Sequence, residues 1–226
     1  MFKNLLSFWR GKDFLSEVLK EFEKMMIEAE AMFKAVCHKL IDGADEAGLG
    51  DRIYAMDRNI NQLEKDIRTR IVEHLTLQPA VDVPVCLVLM SVVKDAERLG
   101  DYAKNLFEVA EMLQKPQDRK LFTSLFDASD AKLITLAEKT RSAFIKSDIP
   151  LAREITVLER EIVLQCEFAL KELAKGSLSA NVSVCLALVA RYFKRTAIHL
   201  VNIGTSVILP VNELDFYDEM ERRSKM

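Results

Sequence analysis

From Leu15 onward the apolar positions fall at Leu15, Val18, Leu19, Phe22, Met25, Met26, Ala29, Met32, Phe33, Val36, Cys37 and Leu40, in steps of three and one. Side chains three and four apart share one face of an α-helix, so this spacing predicts a long amphipathic helix whose methionines are core residues. Gly43 to Gly50 supplies a turn, and Asp51 is the expected N-cap region of a second helix carrying Ile53, Ile60, Leu63, Ile67 and Ile71. Pro79 and Pro84 end that helix and open a third, from Val85 to about Leu113. Its first turns, Val-Cys-Leu-Val-Leu-Met, are apolar on every side, as in a central, buried helix. After Lys115-Pro116 the plan repeats. A helix from about Arg119 to Lys146 is followed by a break at Ser147 to Pro150, and a helix to about Lys175 by Gly176-Ser177. A last apolar helix runs to about Leu209, where Pro210 stops it.

Three helices followed by three more predict an all-α chain of two tandem three-helix bundles with an internal duplication. Residues 1–115, with an apolar segment at 1–11, form the first repeat, 116–210 the second, and 211–226 a polar tail. Direct comparison supports the duplication. I-N-Q-L-E-K-D-I at Ile60 to Ile67 matches I-T-V-L-E-R-E-I at Ile155 to Ile162, and Glu97-Arg98 to Asn105 lines up with Lys194-Arg195 to Asn202.

Composition narrows the class without changing the fold. Most of the seven glycines and five prolines among 226 residues cluster between the periodic segments, and 50% hydrophobic with 30% charged residues suit amphipathic helices around a real core. A net charge of -3, with no Lys/Arg run, argues against nucleic acid as a partner. Cys37, Cys86, Cys166 and Cys185 are widely spaced within apolar segments, as reduced thiols of a cytosolic protein would be. The start M-F-K-N-L-L-S-F-W-R is too short and broken for a signal peptide, and no run reaches the length of a membrane span. Phe2, Leu5, Leu6, Phe8 and Trp9 are expected to pack on the bundle or on a dimer partner, with a membrane surface or transporter as the other candidate.

The chemistry sits in A-E-R-L-G-D-Y-A-K-N, residues Ala96 to Asn105. Glu97, Asp101 and Asn105 lie four apart and form one oxygen-bearing stripe on the third helix. Two uses are open for the acids: ligation of a cation, or a charged face paired with Lys94 and Arg98. Gly100, costly inside a helix by roughly 1 kcal/mol against Ala, is expected to admit a neighbouring backbone. Ala197 at the matching position fits that packing role. Asn105 and Asn202, present in both halves, are expected to make helix-to-helix or capping hydrogen bonds. His38, His74 and His199 show no ligand spacing and are expected on the surface or in the core.

With its duplicated three-helix plan and the pattern Glu97-Arg98-Leu99-Gly100-Asp101 and Asn105, the sequence resembles the PhoU family, cytoplasmic regulators of phosphate uptake. The resemblance covers roughly Lys12 to Pro210. It implies that acids on the second and third helices of a repeat hold a metal, here Asp57, Glu97 and Asp101, with Asn61 and Asn105 as additional ligands. An oxygen-rich set of this kind suits Fe, Mn, Mg or Zn. Asn61 replaces one acid of the pattern, and in the second repeat Ala152, Thr156, Lys194 and Ile198 occupy the acid positions, so at most one metal site per chain is expected. Gly100, Arg98, Asn105, Arg195 and Asn202 are assigned to packing.

By the same resemblance the protein is a non-catalytic regulator of uptake and phosphate-starvation signalling. Its partners would be a phosphate transporter, through the ATPase subunit or the permease, and a sensor histidine kinase. It would be a homodimer that meets the membrane through the transporter. An accessory subunit of a sodium-phosphate or other ion transporter is the alternative. A carboxylate-bridged metalloenzyme is remote, because no Glu-x-x-His motif, activated nucleophile or phosphate-cradling glycine loop occurs.

Overall fold

The computed structural model describes residues 12–44, 46–78, 82–114 and 118–217. The apolar segment 1–11, Pro79, the Lys115-Pro116 break and the end of the polar tail lie outside the described residues. Seven α-helices are present among them: α1 (Lys12–Asp42), α2 (Leu49–Leu77), α3 (Val83–Met112), α4 (Arg119–Phe126), α5 (Ser129–Lys146), α6 (Ile149–Leu173) and α7 (Ala180–Thr205). A 3-10 turn follows at Val211–Glu213. Helices α1 to α3 pack on one another as one three-helix bundle, and α5 to α7 pack as a second, with α4 lying on α6. The bundles sit side by side, α3 against α7 and α1 against α5. Their cores are continuous: Phe22 of α1 meets Phe144 of α5 with ring centres 4.7 Å apart, and Phe33 of α1 meets Phe193 of α7 at 5.6 Å.

Local chemistry sets the helix ends. Asp148 accepts a hydrogen bond from the Leu151 amide and has Pro150 in the first turn, and Ser179 accepts one from the Val182 amide, so α6 and α7 start on side-chain caps. The start of α2 differs from the expectation. Gly48, at φ 75°, is its N-cap, while Asp51 lies one turn inside, where its charge favours the positive helix end.

The segment expected as one helix from Arg119 to Lys146 is two. Asp127 and Ala128 both adopt left-handed backbone, at φ 43° and 55°, and separate α4 from α5. No glycine or proline announces this break. Tertiary packing compensates for it: the turn of direction lets Phe122 and Phe126 enter the core, where Phe126 meets Phe193 at 5.7 Å. The freed carbonyls find partners, since Gln165 of α6 donates to the Leu125 carbonyl and Ser129 Oγ to that of Phe126.

Candidate functional site

The acids singled out by sequence lie on the surface shared by α2 and α3. Ile60 of α2 packs beside Gly100 of α3, where an added Cβ would stand 2.9 Å from the Ile60 terminal methyl. The neighbour that Gly100 admits is therefore an isoleucine side chain, and this corrects the expectation of a close backbone. The approach brings Asp57 of α2, buried except for 8% of its surface, opposite Asp101 of α3.

A lysine ammonium occupies the space between these two carboxylates. Lys104 Nζ donates to Asp57 Oδ1 at 2.8 Å and to Asp101 Oδ1 at 3.1 Å. Burial works against its charge, yet the hydrogen bonds and fields of the two carboxylates hold its pKa above the usual lysine range. Arg98 adds a longer contact to Asp101 Oδ2 at 3.6 Å, and Asn61 Nδ2 reaches Asp57 Oδ2 at 3.5 Å. One turn further along, Glu97 pairs with Lys94 at 2.7 Å, and Lys94 also lies 3.9 Å from Glu64, itself paired with Arg68 at 3.0 Å.

Every acid of this face thus has a cation. Asp57, Asp101, Glu97 and Glu64 are matched by Lys104, Arg98, Lys94 and Arg68. Asp57 and Asp101 are gathered around one point and Glu97 turns to a separate cluster. Among the described residues no three His, Cys, Asp or Glu side chains converge as a metal-holding group. A metal ion does not fit this donor set as it stands, because the position between Asp57 and Asp101 belongs to Lys104. Asn105 lies half-buried on α3 beside this face.

In the second repeat the matching positions carry no acid. Ala152 is buried, and the Thr156 hydroxyl is turned to the Arg153 carbonyl of its own helix. Lys194 donates to Glu167 at 2.6 Å, lowering the pKa of that carboxyl. Arg195 and Ile198 face outward beside it.

A second polar cluster, between the bundles, escaped the sequence. Asp95 of α3, buried, lies 2.6 Å from His199 Nδ1 of α7, and the Tyr102 hydroxyl is 3.3 Å from His199 Nε2. Asn202 donates to Asp95 at 3.4 Å, and Tyr192 stacks on Tyr102. Asp215 stands nearby, its pKa raised by burial and by the Asp95 charge, with His199 opposing. His199 has no partner within its own helix, so spacing gave no signal; its partners lie about a hundred residues away. The other histidines also hold carboxylates, His74 with buried Asp82 at 2.8 Å and His38 with Asp42 at 2.7 Å.

The comparisons with known proteins bear on the family and the fold. A family model described as the PhoU domain matches residues 22–110. The chain is 30% identical to phosphate-specific transport system accessory protein PhoU homolog 1 of Thermotoga maritima, over 48% of this chain and 48% of that protein, so that alignment spans about half of its length. It is 25% identical to a phosphate-specific transport system accessory protein PhoU homolog of Synechocystis, over 87% of this chain and 90% of that one. The fold is similar to the crystal structure of PhoU from Pseudomonas aeruginosa, with a TM-score of 0.76, 22% identity, and 88% and 97% of the two chains covered.

Proposed function

Since the chain belongs to the PhoU family, we propose that it is an accessory protein of a phosphate transport system that damps uptake and phosphate-starvation signalling by docking on other proteins. The observation that carries this reading is the likeness, along most of the chain, to proteins named for that accessory role. The partners are the transporter, through its ATPase subunit or permease, and a sensor histidine kinase. The protein works in the cytoplasm as a homodimer and reaches the membrane through the transporter. No helix among the described residues is long and apolar enough to cross a membrane.

The geometry supports docking over chemistry. The acids of the α2–α3 face are neutralised from within by four cations, which makes these pairs net-neutral. A regulator built this way needs no metal to keep Asp57 and Asp101 together. Elemental analysis of protein purified without chelator or immobilised metal tests this: less than one equivalent of Fe, Mn or Zn is expected, and a stoichiometric metal lost on Asp101→Asn would overturn it.

Gene deletion tests the function itself. Loss of the protein raises phosphate accumulation and alkaline phosphatase level under phosphate-replete growth, and the parent gene restores both. No change in either measurement would overturn the reading. The conversion of the second repeat's acid positions to Ala152, Thr156, Lys194 and Ile198 favours one second reading, service to a sodium-phosphate or other ion transporter. A deletion that alters uptake of another ion while leaving alkaline phosphatase unchanged would select it.

A further inference from the structure

The face of α7 that matches the acidic face of α3 in register has the opposite character. Lys194 and Ile198 stand where α3 has Glu97 and Asp101, and an open groove of about 610 Å³ runs along this face. Its apolar lining is Leu170 of α6 with Val184, Leu188 and Ile198 of α7, and its cations are Arg191, Lys194 and Arg195. Val184 is 53% exposed and Leu170 37%. Lys194 is engaged with Glu167, but Arg191 and Arg195 are exposed and have no acidic partner among the described residues.

We propose that this groove docks an amphipathic helix of a partner protein, whose apolar stripe is interrupted by acidic side chains set against Arg191 and Arg195. The order of the lining argues for a helix. Along α7, Val184 and Leu188 precede the arginines and Ile198 follows them. A single-headed anionic amphiphile would place its charge at the arginines and its tail on one side, leaving Ile198 uncovered. A helix with apolar anchors before and after its acids covers both. The length agrees as well: Val184 to Ile198 extends about 21 Å along α7, close to four turns of a docked helix. Apolar burial supplies the adhesion, and the arginines, one turn apart, set register and select against basic segments. The inference rests on the protein-docking reading above and names the chemistry of the docked segment.

The test uses two fluorescently labelled synthetic peptides of equal length and identical leucine stripe, one with two central Glu and the other with two central Lys. Each is titrated against the full chain and against the R191E/R195E variant. Both arginines are exposed, so the variant keeps the parent's circular dichroism and melting temperature. The Glu peptide binds the parent about tenfold or more tighter than the Lys peptide, and the preference reverses in the variant. Equal binding, no binding of either peptide, or a preference that survives the charge reversal overturns the proposal. So does dodecanoate binding the parent more tightly than the Glu peptide, which assigns the groove to an anionic amphiphile. Self-association of the parent that the variant loses assigns it to a second copy and overturns it equally.

A strain lacking the gene separates this inference from the functional reading. If the deletion has its phenotype and the variant fails to complement it, the groove is required. If the deletion has its phenotype and the variant restores it fully, the groove proposal fails and the proposed function stands. A deletion without phenotype removes the phosphate reading while the peptide preference still decides the groove.

Discussion

Lys104 places a cation where two carboxylates from different helices meet, and its position on α3, three residues after Asp101, lets one ammonium reach both. Removing it leaves Asp57 and Asp101 facing each other half-desolvated. Lys104→Met is expected to lower stability by about 1–2 kcal/mol, less than for a fully buried pair because the site is partly solvated. Urea denaturation measures the loss, and added Mn²⁺ should restore part of it in the variant while leaving the parent unchanged. The pH dependence has a definite sign. Because folding raises the Lys104 pKa, its contribution is complete below the ordinary lysine value of 10.5 and disappears as pH climbs through the folded value. Parent and variant curves therefore converge at alkaline pH, and a gap that stays constant there would refute the assignment. Much of this was legible locally. The pairing of Glu97 with Lys94 and of Asp101 with Arg98 follows from i, i+3 spacing alone, and Lys104 stands in the same decapeptide. That its ammonium also reaches Asp57 was not legible, because it depends on how closely α2 and α3 approach.

That approach is set by small residues at helix crossings, and the two repeats differ in how tight it is. A methyl added at Gly100 is crowded at 2.9 Å by the far end of Ile60 and meets the rest of that side chain at ordinary contact distance, whereas one added at Gly204 overlaps the terminal methyl of Ile155. Both substitutions gain about 1 kcal/mol of helix propensity. At Gly100 a small movement of one methyl keeps Gly100→Ala within about 1 kcal/mol of the parent. At Gly204 the fully buried Ile155 must leave its rotamer or push α6 from α7, so Gly204→Ala should be destabilised by about 1–2 kcal/mol. Chemical denaturation of the two variants checks the order, and equal stabilities would show that α6 and α7 relax freely. The helices themselves were plain in the sequence, since apolar periodicity over several turns outweighs any local ambiguity. The interruption at Asp127 and Ala128 was not, because its cause is the seating of Phe122 and Phe126 against Phe193 of a helix far along the chain. Where a segment's conformation is decided by such a contact, local propensity points the other way.

For the whole molecule the decisive fact is that the two bundles share one core. The duplication suggests two units able to fold apart, yet α3 lies against α7, Phe22 against Phe144 and Phe33 against Phe193, and Asp95 is held by His199 and Asn202 across the same boundary. Separating the halves would expose aromatic rings and strand a buried carboxylate, each costing about 1–3 kcal/mol or more. The chain should therefore unfold in one cooperative step, with calorimetric and van't Hoff enthalpies equal. The cysteines make the same prediction at four places, since Cys37, Cys86, Cys166 and Cys185 sit one each on α1, α3, α6 and α7, all buried. Burial pushes the Cys86 thiol to about 11 and the Cys166 thiol to about 12, so native thiolate is scarce near neutral pH. A disulfide reagent added along a urea titration should find all four silent in the native baseline and reactive together at the midpoint. Release of Cys166 and Cys185 at lower urea than Cys37 and Cys86 would show instead that the second bundle opens alone, and that the shared core does not couple the repeats.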